Sequence, residues 1–347
     1  MMQSVRNSYP VYGQTETTDI NMSVCSLSSL WQAENRCHRG VGYKNSVSRF
    51  HMLKLSKIYE LQKELLFDTY KPTLGDSFPI YEPKYRMVTA TRYRDRIPQA
   101  SYCVNYLYKN QLTTIANSNM ACVKGRGVDK ARERLKQILR NSSSTEYVLK
   151  CDIKNYFGSI NHDILVREIT NQNDKWELNY HRQSINVNGE QVGLPLGSEI
   201  NQLSAILFLN KLDHLLGDRY VRYMDDFVLI GNKSELIDKL NLIKQELSRL
   251  HLQLSDRKTY FQPISRPISF LGFTFLRHPT GRVTMKRKRN RVHELRRRLK
   301  RIIRTGIDNH AINDHVTCER SVMKKSTRSD YMKYCKYSNL ILKGVTQ

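Results

Sequence analysis

Two adjacent acids, Asp225 and Asp226, lie between residues that favour extended backbone: Tyr220, Val221 and Tyr223 before them, and Phe227, Val228, Leu229 and Ile230 after. The pattern predicts a tight β-hairpin with both carboxylates at its tip. Buried carboxylates repel each other and resist desolvation, so an apolar hairpin carries two only with compensation, for which divalent metal ions are the natural source. A surface turn would also place aspartates there, since Asp is a common turn residue. Against that simpler reading stands Asp152, 73 residues upstream of Asp225, which ends the run Tyr147-Val148-Leu149-Lys150-Cys151. Two strands presenting three acids can hold two Mg²⁺ ions roughly 3.5–4 Å apart, the arrangement that drives in-line phosphoryl transfer.

The elements that must position these acids are legible as alternating helix and strand signals. Helices are expected over Leu27–Arg36, Val47–Phe67, Ile97–Leu112, Val128–Leu139, Leu203–Leu216 and Ser234–Leu250. Ile80 to Val88 reads as strand, turn, strand, crowded by Lys84, Arg86, Arg92, Arg94 and Arg96. Such cations are either a solvated edge or a grip for a nucleotide triphosphate. Lys124-Gly125-Arg126-Gly127 is a basic, flexible loop suited to a backbone phosphate. Asn161 is placed to cap a helix beginning near Ile164. Gln183 to Val192 reads as a small hairpin around Asn188-Gly189, Leu254 begins a strand carrying Lys258, and Ile268 to Phe275 is a hairpin turning at Gly272.

The 347 residues carry a formal net charge of +25, which points to a polyanionic partner, nucleic acid first. The excess concentrates in the stretch from Lys286 to Arg304, with eleven Lys/Arg against one Glu. Val292, Leu295, Leu299 and Ile302 keep helical spacing there, so a packed helix with a basic outer face is expected. Without a phosphate backbone alongside, its self-repulsion would be costly. The apolar runs are too short to span a bilayer and the polar N-terminus has no signal-peptide core, so a soluble, cytoplasmic protein without a membrane partner is expected. The seven cysteines form no C-x-x-C pair, consistent with reduced thiols and no zinc site.

Together these residues resemble reverse transcriptases, from about Leu27 onward. The blocks follow the family's order: Lys84 to Arg96 as fingers, Tyr147 to Ile160 around the first aspartate, Gly193 to Gln202 as nucleotide pocket, and the Tyr223-Met224-Asp225-Asp226 box. Lys258 and the Phe270–Phe273 primer grip then follow. The resemblance implies an α+β right-hand polymerase, its antiparallel palm sheet backed by helices. The implied divisions are a polar extension over 1–24, N-terminal helices and fingers over 25–145, a palm over 146–275 with part of the fingers at about 164–192, and a basic helical thumb over 276–347. It further implies that Asp152, Asp225 and Asp226, with the backbone carbonyl of Ile153, hold two Mg²⁺ ions, for which Mn²⁺ can substitute. Lys84 and Arg86 would bind the triphosphate, Phe157 would lie under the sugar and select deoxynucleotides, and Gln202 would line the pocket. Lys258 would protonate the pyrophosphate leaving group. Lys124, Arg126, Gly272, Lys286, Arg287, Lys288, Arg289, Arg291, Arg296 and Arg297 would contact the template–primer duplex.

Within the family the chain is similar to bacterial group II-intron-like enzymes, and most so to those of diversity-generating retroelements and phage defence. Leu196-Gly197 and Asn201-Gln202 stand where most relatives have Gln-Gly and Ser-Pro. Replacing a hydrogen-bonding side chain with leucine should weaken control over the nascent base pair. The expected partners are a noncoding or template RNA, the cDNA product, dNTPs, and an accessory protein or second copy. Because the sequence ends at Gln347, no endonuclease or RNase H domain is expected. The alternatives are a maturase-like RNA-binding protein without catalysis and an RNA-templated RNA polymerase, which Phe157 disfavours.

Overall fold

The computed structural model describes residues 22–73, 75–81, 85–185, 189–287, 297, 304 and 309–345. The first helix, α1 (Leu27–His38), starts where the Ser26 side chain accepts a hydrogen bond from the Ser29 N–H. The single helix expected over Val47–Phe67 is two, α2 (Asn45–Met52) and α3 (Lys54–Leu66). They part at Leu53, whose backbone (φ −107°, ψ 25°) leaves the helical well while Ile58, Leu61 and Leu65 bury one stripe of α3. The hairpin expected over Ile80–Val88 is present with arms that reach further on both sides, β1 (Asp76–Ile80) against β2 (Arg86–Ala90). Next, α4 (Tyr93–Tyr102) runs on as a wide π-helical stretch, Cys103–Gln111.

The next helix, α5 (Val128–Arg140), buries Ala131, Leu135 and Leu139, four residues apart, and leads into β3 (Tyr147–Asp152). A short turn, α6 (Tyr156–Ser159), precedes α7 (His162–Ile169), and Asn161 caps α7 through the Ile164 N–H as expected. The hairpin expected over Gln183–Val192 is corrected. Gln183 to Ile185 form the last turn of α8 (Lys175–Ile185), because Glu177, Tyr180, His181 and Ser184 are buried at helical intervals that outweigh the Asn-Gly turn signal. Asn188 lies outside the described residues. The helix expected over Leu203–Leu216 starts earlier and divides into α9 (Glu199–Phe208) and α10 (Asn210–Leu216).

The acidic hairpin follows, β4 (Tyr220–Tyr223) and β5 (Asp226–Gly231), then α11 (Lys233–Arg249). The strand expected from Leu254 begins only at β6 (Tyr260–Pro263); Leu254 itself makes an isolated bridge to Ile153. After β7 (Ile268–Phe270), β8 (Phe273–Arg277) and β9 (Val283–Arg287) come α12 (Asn309–Met323) and α13 (Arg328–Val345). The basic helix expected from Lys286 is corrected at its start, since Lys286 and Arg287 are the last residues of β9, paired with Thr274 and Phe273. Lys288, Arg289, Arg291 and Arg296 lie outside the described residues, while Arg297 is an exposed helical position.

These elements form two compact units. The first takes the chain to Gly125, then Ile153–Gly217 and Ile243–Leu254. Its core holds a buried polar network shared by α4, the π-helical stretch after it, α8 and α9. Tyr102 and Tyr106 donate to the carboxylate of Glu177, and His181 sits between the hydroxyls of Tyr102 and Ser204. Burial pushes Glu177 up to about 7 despite these hydrogen bonds. The second unit takes Arg126–Asp152, Asp218–Leu242 and the chain from Ser255. It contains an antiparallel sheet in the order β4-β5-β3-β6 and a smaller one, β7-β8-β9. Nearly every residue of β3 and β5 is buried, which is why both read as largely apolar runs, broken in β3 by Lys150, and not as alternation. Among the described residues no helix is long and apolar enough to cross a membrane.

The end of the acidic hairpin opposite its tip is clamped by charge. Arg219 donates to both oxygens of Glu146, at 2.5 and 2.6 Å, and to the Ser142 hydroxyl. The guanidinium holds the Glu146 carboxyl below its ordinary range. A carboxyl depressed on folding adds stability that is complete above its unfolded value near 4.5 and disappears as pH falls through the lower folded value. Glu146→Gln is expected to cost about 1 kcal/mol at neutral pH, half-exposed Arg219 being screened by solvent, and to flatten this acid-side loss. Urea unfolding between pH 3 and 7 measures both.

Candidate active site

The register of the larger sheet brings the acids of the second unit together. Across the β3–β5 ladder Asp152 is paired directly with Asp226, and across β4–β5 Asp226 is paired with Tyr223. Met224 and Asp225 are therefore the two-residue turn. Met224 adopts a left-handed backbone (φ 58°), an uncommon conformation for a side chain of its size. Its carbonyl accepts a hydrogen bond from Arg222 at 3.1 Å, and Arg222 is fully buried in β4. Residues directly opposite on one sheet face have Cβ atoms about 4.5–5.5 Å apart, and like charges there are destabilising. Asp152 and Asp226 are such a pair.

Two ammonium groups answer that charge. Lys258 donates to Oδ1 of Asp152 at 2.6 Å, and Lys150, two residues before Asp152 on the same strand, pairs with Oδ1 of Asp226. Burial, and next the charge of Asp152, push the Asp225 carboxyl above its ordinary range, while Lys258 and Lys150 pull it back. All five groups thus share one electrostatic cluster. Among the described residues no three His, Cys, Asp or Glu side chains converge as a ready cage for a metal, and Asp152 and Asp226 are paired with their lysines. The donor set still fits hard divalent cations: three carboxylates, two of them opposed on adjacent strands, and a third raised by burial and then by the charge of Asp152. Ile153 belongs to the first unit, and the bonds flanking its bridge to Leu254 are made by Lys154 and by the Asp152 carbonyl, not by the carbonyl of Ile153.

The expected nucleotide-pocket residues gather in the first unit. The Phe157 carbonyl accepts from the Leu194 N–H at 2.7 Å, and the ring stands edge-on to Tyr156. The Gly193 N–H donates to Ile160, and the Leu196 carbonyl accepts from the Thr89 N–H of β2 at 2.9 Å. The 193–202 segment is therefore stitched to the Phe157 turn on one side and to the fingers hairpin on the other. Gly197 makes that approach possible. Its φ is +117°, and a Cβ there would sit 2.7 Å from the Thr89 carbonyl oxygen. Gln202 is exposed on α9 and Arg86 is exposed at the start of β2; Lys84 lies outside the described residues.

The expected nucleic-acid contacts divide. Lys124 and Lys286 are exposed, whereas Arg126 is half-buried. Arg287 is corrected: its side chain is 8% exposed and pairs with Glu319 at 3.1 Å, so the guanidinium is committed within the second unit. Gly272 follows Leu271 in a turn where both have positive φ, 45° and 82°. Arg132 of α5 grips the Leu271 carbonyl, through Nη2 at 2.7 Å, and stacks over Phe273. Sequence reasoning missed Lys150, Arg222 and Arg132 as parts of the site. For the first two a signal existed, a lone cation inside a run of strand formers, which stays buried only if it has a partner.

Two glycines that share a backbone class are expected to differ on substitution. Gly197→Ala meets both left-handed strain and a backbone oxygen, and should cost about 1–3 kcal/mol. Gly272→Ala has nothing within 4 Å of the new methyl and should cost about 1 kcal/mol or less. Parallel denaturation curves measure the difference.

No curated protein sequence matches the chain. Among solved structures it is similar to the telomerase of Candida albicans, in a structure of that enzyme in complex with a TWJ fragment of telomeric RNA, at a TM-score of 0.45 and 10% identity. That match covers 77% of this chain and 56% of the telomerase chain, so the protein spans little more than half the length of that structure. The sequence profile described as reverse transcriptase (RNA-dependent DNA polymerase) matches residues 74–275, more than half of the chain. The match takes in the fingers hairpin, the 193–202 segment, the acidic hairpin and the β7–β8 turn: the chain belongs to the reverse transcriptase family.

Proposed function

We propose that the protein is an RNA-directed DNA polymerase whose catalytic centre is Asp152, Asp225 and Asp226. The observation that carries this reading is the register pairing of Asp152 with Asp226, with Asp225 in the β4–β5 turn coupled to Asp152 by charge. The three carboxylates, with the Ile153 carbonyl, would hold two Mg²⁺ ions, which when bound supply charge neutralisation at the attacking and leaving oxygens of a phosphoryl transfer. The chain's own groups then have distinct tasks. Asp152 and Asp226 supply opposed oxygens from two rigid strands, and Asp225 closes the cluster from the turn. Lys258, on a loop and half-exposed, holds a proton that can be given to a departing pyrophosphate oxygen. In the first unit Lys84 and Arg86 are assigned to the triphosphate, and Gln202 to the nucleotide pocket. Phe157, its backbone pinned by Leu194, is assigned to exclusion of a 2′-hydroxyl. Lys124, Arg126, Gly272, Lys286, Lys288, Arg289, Arg291, Arg296 and Arg297 are assigned to the template–primer.

Primer extension on an RNA template tests the reading. The wild-type protein should extend with dNTPs in Mg²⁺ or Mn²⁺ and stop when metal is chelated. Asp225→Ala with Asp226→Ala should lower extension on the order of 10³-fold or more. Preference for rNTPs would instead indicate an RNA polymerase, and binding of RNA with no extension would indicate a maturase-like role.

The setting we infer is a bacterial retroelement-derived system, for diversity generation or antiviral defence, in which a dedicated structured RNA is the template. Leu196-Gly197 before the pocket helix supports it, since an aliphatic side chain there gives no hydrogen bond to the nascent pair. RNA and cDNA that co-purify with the protein should then come from one locus, with substitutions concentrated at one template base. A heterogeneous RNA population copied with even errors would argue otherwise.

A further inference from the structure

The two lysines at the acidic cluster differ in kind. Lys258 comes from the turn after Ser255, and its side chain is 54% exposed, so water can replace its carboxylate partner. Lys150 is part of β3 itself, with a side chain 7% exposed. Side chains alternate along a strand, so Lys150 and Asp152 share a face. On that face the cross-strand pairs are Lys150 with Val228 and Asp152 with Asp226. The ammonium reaches one pair along the ladder to Asp226 and lies 5.1 Å from the centre of the Phe270 ring, which is itself buried. An enclosed lysine of this kind keeps its charge only beside an anion, and an opposed pair of aspartates folds only beside a cation.

We propose that Lys150 is the resident counter-ion of the carboxylate cluster: it lets Asp152, Asp225 and Asp226 fold together before metal binds, and thereby sets how strongly the cluster draws a divalent cation. Lys150 acts through Asp226 and is a positioning residue. The assignment rests on the metal-binding role proposed above. It has a necessary thermodynamic consequence. Whatever stabilises the metal-free cluster more than the loaded one weakens metal binding by the same factor. Removing the ammonium must therefore destabilise the metal-free protein, and the loss must shrink as metal is added.

Lys150→Met keeps an unbranched side chain, one atom shorter, and removes its charge. Thermal unfolding of the full-length protein in chelator should show a lower Tm than wild type, with the difference at least halved in saturating Mn²⁺. Mn²⁺ binding, followed by electron paramagnetic resonance of the free ion, should tighten by about 3–10-fold. Lys150→Arg should follow wild type in both measurements. Equal Tm losses with and without Mn²⁺, together with unchanged affinity, would overturn the proposal and leave Lys150 a packing residue. A wild-type protein that binds no Mn²⁺ would instead remove the metal-site reading beneath it. If Lys150→Met does not fold, the charge-neutral combination with Asp226→Asn decides. The double variant should be more stable than Asp226→Asn alone, where the buried ammonium has lost its partner. A double variant no more stable than that single variant would count against the counter-ion role.

Discussion

One repulsion organises the second unit. Asp152 and Asp226 face each other across two central strands, where the pleat puts both side chains on one face of the sheet. A slip of one residue would separate them, but it would also move Val148, Leu149, Val228 and Leu229, all buried, to the opposite faces and break the packing on both. Apolar burial along the strands therefore enforces an electrostatic juxtaposition at their ends. The surrounding cations follow from that constraint: Lys150 and Lys258 balance the pair, and Arg222 fixes the turn from which Asp225 adds a third charge.

A similar division of labour recurs around the site. Several turns beside the positions that carry chemistry in the proposed reading are held by a hydrogen bond to a backbone carbonyl. Arg222 holds Met224, Arg132 holds Leu271, and Leu194 holds Phe157. Backbone carbonyls are where a side chain or amide can fix a turn without touching the residue that turn presents. The Glu146–Arg219 clamp does the same work at the far end of the acidic hairpin, with charge on both sides.

The acidic hairpin, the Asp152 strand, α11 and the β7–β8 turn were legible in sequence, because each combines one clear periodicity with turn residues where the chain reverses. Other elements were not, for reasons that three of them show. Asn188-Gly189 advertises a hairpin, yet Gln183–Ile185 finish α8, since Tyr180, His181 and Ser184 pack into a polar core that no local rule anticipates. Lys286 and Arg287 look like the start of a basic helix, yet they close a strand ladder with Phe273 and Thr274, a pairing set by residues a dozen positions away. The break at Leu53 lies inside an apolar pattern that suits one helix as well as two. Within the site, sequence identified the acids but not their partners. Which lysine meets which aspartate depends on register, and register belongs to the sheet, not to any one strand.

The loop that carries Lys258 is fastened to Asp152 twice, by bonds of different permanence. The Ser255 N–H donates to the Asp152 carbonyl, a main-chain link like those of the ladder, whereas the Lys258 ammonium holds the carboxylate by a bond open to solvent. Between them a tight turn returns the Lys258 and Thr259 N–H groups to the Ser255 carbonyl. Freeing the carboxylate thus releases the head of the lysine but not the root of its loop. The root of the loop is bonded to the same residue whose carboxylate the lysine holds, so the freedom of the ammonium is bounded by the length of one side chain.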